Sequence, residues 1–208
     1  MFLDSGILKP MKPQTIVLMG RSGCGKGTQA DLLKKYFADQ NPERHVVYVE
    51  TGMRFREFIK GETYTHALSK QIYEKNERQP DFLAVLNWAS MFVETMQADN
   101  HLIIDGTPRS LPEALALDSA FRFYDRTALV VHLNISRATG EKRLLARGRS
   151  DDRNAESNKR RFEWFDKDVV PALEHFKTLS DTGACRFFEV DAEQPLEDVH
   201  RAIVSALS

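Results

Sequence analysis

The chain has 208 residues, of which 42% are hydrophobic and 28% charged, a composition typical of a folded globular protein. Its 29 lysine and arginine residues nearly balance 30 aspartate and glutamate residues, giving a formal net charge of -1, so we expect no nucleic acid polymer as a partner. Two cysteines, far apart in the sequence, exclude a disulfide framework and a four-cysteine zinc site.

The N-terminal segment lacks the features of a targeting signal. Residues 1–13 contain no basic region followed by a long apolar run, so we predict a loosely ordered extension, with Met11 as a second possible start of translation. No apolar run in the chain approaches the roughly 18 residues that cross a bilayer. These features predict a cytoplasmic protein that does not interact with a membrane.

Five short apolar runs predict buried strands. They are Thr15–Met19, Val46–Val49, Leu102–Ile104, Ala128–Leu133 and Phe187–Val190. Because most of these runs are apolar at successive positions rather than at alternate ones, both faces of the sheet should be covered, as in parallel sheets. The helical patterns between the runs then indicate an α/β fold, a three-layer, doubly wound domain with a five-stranded parallel sheet.

Two segments carry apolar side chains at helical spacing. The first set is Phe82, Val85, Ala89, Phe92 and Met96. The second set, in the last segment of the chain, is Leu196, Val199, Ile203, Val204 and Leu207. Each set falls on one side of a helix, so we expect both sides to pack against the sheet.

Two stretches depart from the simple alternation of strand and helix. About 50 residues separate the second and third predicted strands, which is enough for several helices. Residues 148–158 are polar and show no periodicity. In parallel α/β sheets, ligands bind at the carboxyl ends of the strands, where such excursions also lie.

A glycine-rich loop follows the first predicted strand and opens a helix. Glycines let backbone N–H groups approach phosphate oxygens, and the helix N-terminus favours an anion. Lys26 occupies the position from which a lysine reaches the outer phosphates of a nucleoside triphosphate. This pattern predicts a phosphate-binding P-loop. The residues that we expect to bind ATP here are Gly23, Cys24, Gly25, Lys26, Gly27 and Thr28.

Asp105 ends the third predicted strand. An apolar strand that ends in aspartate is the usual partner of a phosphate loop and holds Mg²⁺ directly or through water. We therefore predict Mg²⁺ as the cofactor, bound through water by Asp105 together with the Thr28 hydroxyl.

These residues together resemble the nucleoside monophosphate kinases, the adenylate kinase and UMP/CMP kinase family, from about Thr15 to Leu207. The segments that carry the resemblance are GRSGCGKGTQ, Thr51-Gly52 with Arg56, Asp105-Gly106-Thr107-Pro108-Arg109, the arginines around GRSDD, and Val190-Asp191-Ala192. The resemblance implies a monomeric enzyme that transfers the γ-phosphoryl group of ATP to a nucleoside monophosphate. It also implies a kinase domain over residues 14–208, with a helical monophosphate-binding insertion at about 50–80 and a short lid at about 148–158.

The same resemblance implies roles for individual side chains. Arginine suits phosphoryl transfer because its planar fork is permanently charged and bidentate. The implied catalytic residues are Lys26, Arg109, Arg149 and Arg161. The implied ATP-binding residues beyond the loop are Arg143, Arg147 and Gln194. The implied monophosphate-binding residues are Thr51, Gly52, Arg56, Arg78, Gln79, Gly106, Arg109, Glu113, Arg149 and Arg161.

Two of these arginines have a close competitor. We prefer Arg149 to Arg153 because it stands in a Gly-Arg-x-Asp-Asp context. We prefer Arg161 to its neighbour Arg160 because its spacing to Pro171 matches the family.

The predicted base pocket departs from the adenylate kinase pattern. Glu113 stands where these enzymes carry a glutamine, and an ionised carboxylate only accepts hydrogen bonds. It therefore suits the N1–H and amino group of guanine better than N1 of adenine. Arg78-Gln79 replaces an apolar pair, Met53 an aspartate and Thr107 an aromatic residue.

Several acceptors therefore remain open. Because Thr51 is retained, AMP or dAMP ranks first, and GMP or a pyrimidine monophosphate ranks second. A P-loop kinase for another small metabolite is a further alternative, although it would not need the Asp-Gly-x-Pro-Arg motif and the lid arginines together. A non-catalytic nucleotide-binding protein would be expected to lose Lys26 and Asp105, and both are present.

Overall fold

In the computed structural model, which describes residues 11–147 and 155–208, five strands form one parallel sheet. The strands are β1 (Thr15–Met19), β2 (Val46–Glu50), β3 (His101–Asp105), β4 (Ala128–Asn134) and β5 (Arg186–Asp191). Their order across the sheet is β2-β3-β1-β4-β5, so the strand that leads into the glycine loop is central. The predicted five-stranded parallel sheet is confirmed.

Within the described residues, nine α-helices and one π-helical turn connect and flank the strands. The helices are α1 (Lys26–Gln40), α2 (Thr51–Phe58), α3 (Tyr64–Glu74), α4 (Asp81–Thr95), α5 (Leu111–Phe123), α6 (Arg137–Arg147), α7 (Ala155–Trp164), α8 (Val170–Asp181) and α9 (Leu196–Ser205). The π-helical turn, Phe165–Val169, is called the π-turn below. None of the helices in the described ranges has the length and apolar character needed to cross a membrane.

Helices cover both faces of the sheet. On one face, α4, α5 and α8 bury Trp88, Leu117 and Phe176 in a common core. On the other face, α1 and α9 bury Phe37 and Ile203. Burying each such side chain contributes about 1.5–3 kcal/mol, which explains why continuously apolar strands lie between two helical layers. The predicted three-layer α/β arrangement is confirmed.

The predicted inward side of α4 is wrong at its first member. Phe82 is 67% exposed, whereas its neighbours Leu83 and Ala84 are buried. These two residues pack with Phe55 of α2, while Trp88 packs in the main core. Since α4 contacts two partners on adjacent sides, its buried surface differs from the single stripe that spacing predicts.

The predicted side of α9 is largely confirmed. Val199, Ile203 and Leu207 are buried, and Val204 packs against the same core cluster. Leu196, the first residue of the helix, is 40% exposed and lines the large cleft described below.

His101 is fully buried at the start of β3. Its Nδ1 accepts a hydrogen bond of 3.0 Å from the backbone N–H of Gln14, and its ring stacks on Phe37 with centroids 4.0 Å apart. Burial lowers the pKa of His101 to about 4, and the nearby Arg44 and Arg126 act in the same direction. The folded protein therefore holds a neutral imidazole at neutral pH.

We expect His101 to make the protein less stable in mild acid. A histidine in the unfolded chain has a pKa near 6.5, so between this pH and about pH 4 the unfolded state binds more protons than the folded state. The free energy of unfolding should decrease as the pH falls through this window, by up to about 3 kcal/mol. Urea denaturation at about pH 7 and at about pH 4.5 measures this loss.

Two variants identify the group responsible. His101→Gln keeps a hydrogen-bond acceptor and removes the titration, so its loss of stability in acid should be smaller than that of the wild type. His45→Gln changes an exposed histidine just before β2 and should behave as the wild type. An acid-induced loss in His101→Gln as large as in the wild type would rule out His101 as its source.

Candidate active site

A cleft of about 1010 Å³ lies at the carboxyl ends of the central strands. The glycine loop after β1, the end of β2 and the end of β3 form its floor. The start of α5 and parts of α2, α6, α7 and α9 form its walls. This is the place where ligands bind in open parallel sheets, because connections leave the central strand in opposite directions there.

Every predicted site residue that the structure describes lines this cleft. On the ATP side these are Gly23, Cys24, Gly25, Lys26, Gly27, Thr28, Arg143, Arg147 and Gln194. On the monophosphate side they are Thr51, Gly52, Arg56, Arg78, Gln79, Gly106, Arg109, Glu113 and Arg161. Asp105, at the end of β3, lines the floor of the same cleft. Arg149 and its competitor Arg153 lie outside the described residues.

The glycine loop has a backbone conformation that side chains would prevent. Gly23 has a φ of 86°, and a β-carbon there would lie 2.7 Å from the carbonyl oxygen of Gly140 in α6. A β-carbon on Gly140 would in turn lie 2.9 Å from both the Ser22 carbonyl oxygen and the Phe162 ring. Gly25, with a φ of 99°, then leads into α1, whose N-terminal N–H groups attract anions.

The backbone of the loop holds Lys26 in place. Its Nζ donates hydrogen bonds to the carbonyl oxygens of Gly20 at 2.8 Å and Arg21 at 3.2 Å. The Sγ of Cys24 is 3.6 Å away. A positioned ammonium group stabilises phosphate charge without having to reorganise during the reaction.

Asp105 ends β3 with its side chain buried. Its Oδ2 accepts a hydrogen bond of 3.3 Å from the Tyr48 hydroxyl. Burial raises the pKa of Asp105; Lys26 opposes this shift and Glu50 adds to it. Burial, with the charge of Asp105, also raises the pKa of Tyr48, so the phenol remains a hydrogen-bond donor.

The surroundings of Asp105 fit Mg²⁺. This ion prefers oxygen ligands and is usually bound by one or two carboxylates together with water and substrate phosphates. The Asp105 Oδ2 atom would lie 3.7 Å from a β-carbon on Gly27, so the carboxylate faces the first turn of α1, where Thr28 also lines the cleft. Across residues 11–147 and 155–208, no cluster of three or more His, Cys, Asp or Glu side chains forms an all-protein metal cage.

Glu50 and Tyr48 line the cleft although sequence reasoning missed both. Glu50 is the register partner of Asp105 between β2 and β3, and its Oε1 accepts a hydrogen bond of 3.1 Å from Nη2 of Arg56. The signal that identified Asp105, an acidic residue at the end of a predicted strand, was also present at Glu50. The carboxylate at the end of β2 therefore pairs with the arginine that α2 contributes.

Arg109 reaches the cleft from the turn after β3. Its Nε donates to the Gly106 carbonyl oxygen at 2.6 Å, and its guanidinium lies 5.7 Å from the centroid of the Trp164 ring. The Thr51 hydroxyl donates to the same carbonyl at 2.8 Å. Burial lowers the pKa of Arg109 while Glu113 opposes the shift, and an arginine remains a cation at neutral pH.

Glu113 lies in the first turn of α5 and is 2% exposed. Its Oε2 accepts a hydrogen bond from the Thr107 hydroxyl, and its Oε1 lies 4.0 Å from Nη1 of Arg78. Burial raises the pKa of Glu113, whereas the Thr107 hydroxyl and Arg109 lower it. Two oppositely charged side chains, 4.0 Å apart, therefore stand where the family resemblance implies an amide and an apolar wall.

Arg78 and Gln79 both have partners within the protein. Arg78 bonds to Asp81 and lies 3.5 Å from Asp168 on the π-turn. The Gln79 side chain donates to the Ser69 carbonyl and accepts from the Ser69 hydroxyl, each at 2.9 Å. These two bonds leave the amide with one N–H and one lone pair for a ligand.

The neighbouring arginines of α7 point to different places. Arg161 lines the cleft, whereas Arg160 donates to the carbonyl oxygen of Lys75 at 3.2 Å and does not line it. In α6, Nη1 of Arg143 donates to the Ala192 carbonyl at 3.0 Å. The cleft thus gathers guanidinium groups from α2, α6 and α7 around the glycine loop.

Comparisons with known proteins agree with one another. A family model described as adenylate kinase matches residues 18–181. An adenylate kinase of Parabacteroides distasonis is 32% identical over 168 residues, covering 77% of this chain and 83% of the relative. An adenylate kinase of Flavobacterium psychrophilum is 30% identical over 167 residues, covering 78% and 84%. For an adenylate kinase of Lachnospira eligens, the identity is 30% and the coverage 92% and 99%.

Proposed function

The chain belongs to the adenylate kinase family, and from that membership we propose that it transfers the γ-phosphoryl group of ATP to AMP. Membership makes it a nucleoside monophosphate kinase; AMP as the acceptor is the finer part of the proposal. The observation that carries it is a single cleft in which Lys26 and Asp105 lie with Arg56, Arg109 and Arg161. The relatives, which are named adenylate kinases, and the retained Thr51 support AMP.

The reaction needs charge stabilisation rather than a general base, because the attacking phosphate is already anionic near neutral pH. Two anionic phosphates must be brought together while charge spreads over the moving phosphoryl group. Lys26 and the N–H groups of the glycine loop would bind the donor phosphates. Arg56 and Arg109 would bind the acceptor phosphate, and Arg161 would add a cation from α7.

Mg²⁺ belongs to the proposal as a partner of the donor. Asp105, through water, and Thr28 are the residues that would hold it. When bound, the ion neutralises part of the charge on the β- and γ-phosphate oxygens. Tyr48 orients the Asp105 carboxylate toward the loop through its hydrogen bond.

Other expectations stay predictions. The catalytic role of Arg149 is one of them, since this residue lies outside the described part of the chain. Most of the predicted lid at 148–158 lies outside it as well. The insertion at about 50–80, the monomeric state and the cytoplasmic location also stay predictions.

GMP is the second candidate acceptor. It is favoured by the end of the cleft that Glu113 and Arg78 line, which we call the base end. The carboxylate of Glu113 and the guanidinium of Arg78 are 4.0 Å apart there. Guanine offers N1–H and amino donors to a carboxylate, and O6 and N7 acceptors to an arginine. Adenine offers no N1 donor.

The acceptor can be identified by measuring ADP release with ATP, Mg²⁺ and each monophosphate in turn. We expect AMP to give the highest kcat/KM. A higher kcat/KM for GMP, CMP or UMP would overturn the AMP assignment. Inactivity with every nucleoside monophosphate would contradict the proposed class of acceptor.

Glu113→Gln should raise the preference for AMP over GMP about tenfold, because an amide offers N1 of adenine the donor that a carboxylate lacks. The ratio of the two kcat/KM values measures this preference and cancels any loss of folded protein. Glu197→Gln, an exposed glutamate in the first turn of α9, is the matched control and should leave the ratio unchanged. If Glu113→Gln also leaves it unchanged, the base does not contact this side chain.

A further inference from the structure

The π-turn joins α7 to α8 next to the cleft. Single π-helical turns are rare in proteins and are frequent at functional sites. Arg161 precedes this turn by four residues, or about 6 Å of helix, and lines the cleft. The π-turn therefore lies about one helical turn beyond a residue that lines the cleft.

One side of the π-turn contacts the glycine loop. The Oδ1 atom of Asp166 lies 2.6 Å from Nη1 of Arg21, whose guanidinium is 4.6 Å from the ring centroid of Phe165. Phe165 is anchored in the main core, so a fixed ring and a carboxylate together hold the arginine. The backbone carbonyl of Arg21 is in turn one of the two acceptors for Lys26.

Another contact of the π-turn reaches the monophosphate side. Oδ2 of Asp168 lies 3.5 Å from Nε of Arg78, which also bonds to Asp81 and lies 4.0 Å from Glu113. Residues two apart on a helix do not face each other, so Asp166 and Asp168 can serve different walls of the cleft. Both Asp168 and Arg78 are largely shielded from solvent, which strengthens the attraction between them.

Two further contacts join α7 to the same parts of the molecule. Arg160 donates to the Lys75 carbonyl just beyond α3, at 3.2 Å. The Trp164 ring, immediately before the π-turn, lies 5.7 Å from the Arg109 guanidinium. The segment that carries Arg161 therefore contacts both the glycine loop and the monophosphate side of the cleft.

We propose that Asp166 and Asp168 are positioning residues that hold the Arg161 helix in register with the glycine loop and with the monophosphate subsite. The inference rests on the proposed function. Neither carboxylate lines the cleft, so each acts through an arginine rather than on substrate. Asp166 aligns α7 with the loop that carries Lys26, whereas Asp168 restrains Arg78 at the base end of the cleft.

Steady-state kinetics of Asp166→Asn and Asp168→Asn, in the full chain with ATP, Mg²⁺ and AMP, test the proposal. Asp166→Asn should lower kcat about tenfold and change the KM for AMP by less than about twofold, because misalignment affects the transition state most. Asp168→Asn should raise the KM for AMP about tenfold and change kcat by less than about twofold. Asp166→Glu, which keeps the charge, should recover most of the lost kcat.

Salt gives a second readout that a purely structural role would not produce. The pair of Asp166 with Arg21 is partly exposed, so about 1 M KCl should screen it and narrow the difference in kcat between the wild type and Asp166→Asn. Glu163→Gln is the matched control. Glu163 is an exposed carboxylate on α7 whose Oε1 lies 3.9 Å from Lys159 on the same helix, so its variant should have wild-type kinetics.

Two results would overturn the inference: kinetics of both asparagine variants equal to those of Glu163→Gln, or losses that merely follow a fall in Tm. Calorimetric titration with ATP and with AMP separates this inference from the proposed function. A wild-type protein that binds neither nucleotide would overturn both. A wild type that binds and phosphorylates AMP, with Asp166→Asn and Asp168→Asn equally active, would overturn only the positioning role.

Discussion

Lys26→Met should lower kcat about 10³-fold and leave the fold intact. The Nζ atom is fixed by two loop carbonyls, so the wild type presents a permanent cation where the donor phosphates are proposed to bind. Methionine has a similar length and no charge, so the variant loses this stabilisation of the transition state. Removing one such positioned group costs about 10²–10³ in rate in other enzymes. Coupled ADP-release assays measure the loss, and circular dichroism checks the fold.

Lys35→Met is the control for this variant. Lys35 lies on the same helix, is exposed and pairs with Asp39 at 2.7 Å, so its loss should leave kcat unchanged. Full turnover in Lys26→Met would mean that Lys26 does not stabilise the transferred phosphate.

Arg109→Lys should lower kcat/KM for the monophosphate about 10²-fold. Lysine keeps the charge, but it lacks the planar fork that can bind a phosphate while Nε holds the Gly106 carbonyl. The variant should therefore keep the positive charge but align the bound phosphate less well, so kcat should fall together with kcat/KM. Initial rates over a range of monophosphate concentrations, at saturating ATP, measure both.

Arg122→Lys is the matched control for Arg109→Lys. Arg122 lies in the last turn of α5, is exposed and pairs with Asp118, so the replacement should be kinetically silent. An Arg109→Lys enzyme with the same kinetic constants as this control would place the monophosphate elsewhere in the cleft.

The sheet could be predicted because a short run of apolar residues marks each strand in the local sequence. Thr15–Met19 and Ala128–Leu133 are apolar over almost their whole lengths, and only a strand covered on both faces requires that. The side of α4 could not be predicted in the same way. Phe82 has the right spacing, yet packing against α2 as well as the core shifted burial to Leu83 and Ala84, and this partner is invisible in the spacing of α4.

The phosphate side of the cleft was also accessible from sequence, because its signals are contiguous. Lys26 and Arg109 belong to short motifs in which neighbouring residues define each role. The π-turn contacts are different in kind. Asp168 and Arg78 are 90 positions apart in the sequence. They meet only because the fold places the π-turn against the monophosphate side of the cleft. Nothing in either local sequence indicates the partner.

Glu50 shows a third case, in which a local signal is present but does not by itself identify a site residue. Asp105 and Glu50 are both acidic residues at a strand end, but only Asp105 stands beside a Gly-x-Pro-Arg motif that marks it as functional. The register of β2 with β3 makes the two carboxylates neighbours. Strand order, which the spacing of apolar runs does not reveal, was the missing information.

The contact between Gly23 and Gly140 has a consequence for how this protein can diverge. Main chain meets main chain there, and the Phe162 ring closes the remaining side of Gly140. A misfit between two side chains can be repaired by changing either one, but a misfit between two backbones has no such second-site remedy. We therefore expect Gly23 and Gly140 to resist substitution. A larger residue at either position could be accommodated only if the glycine loop, α6 or α7 shifted as a whole segment.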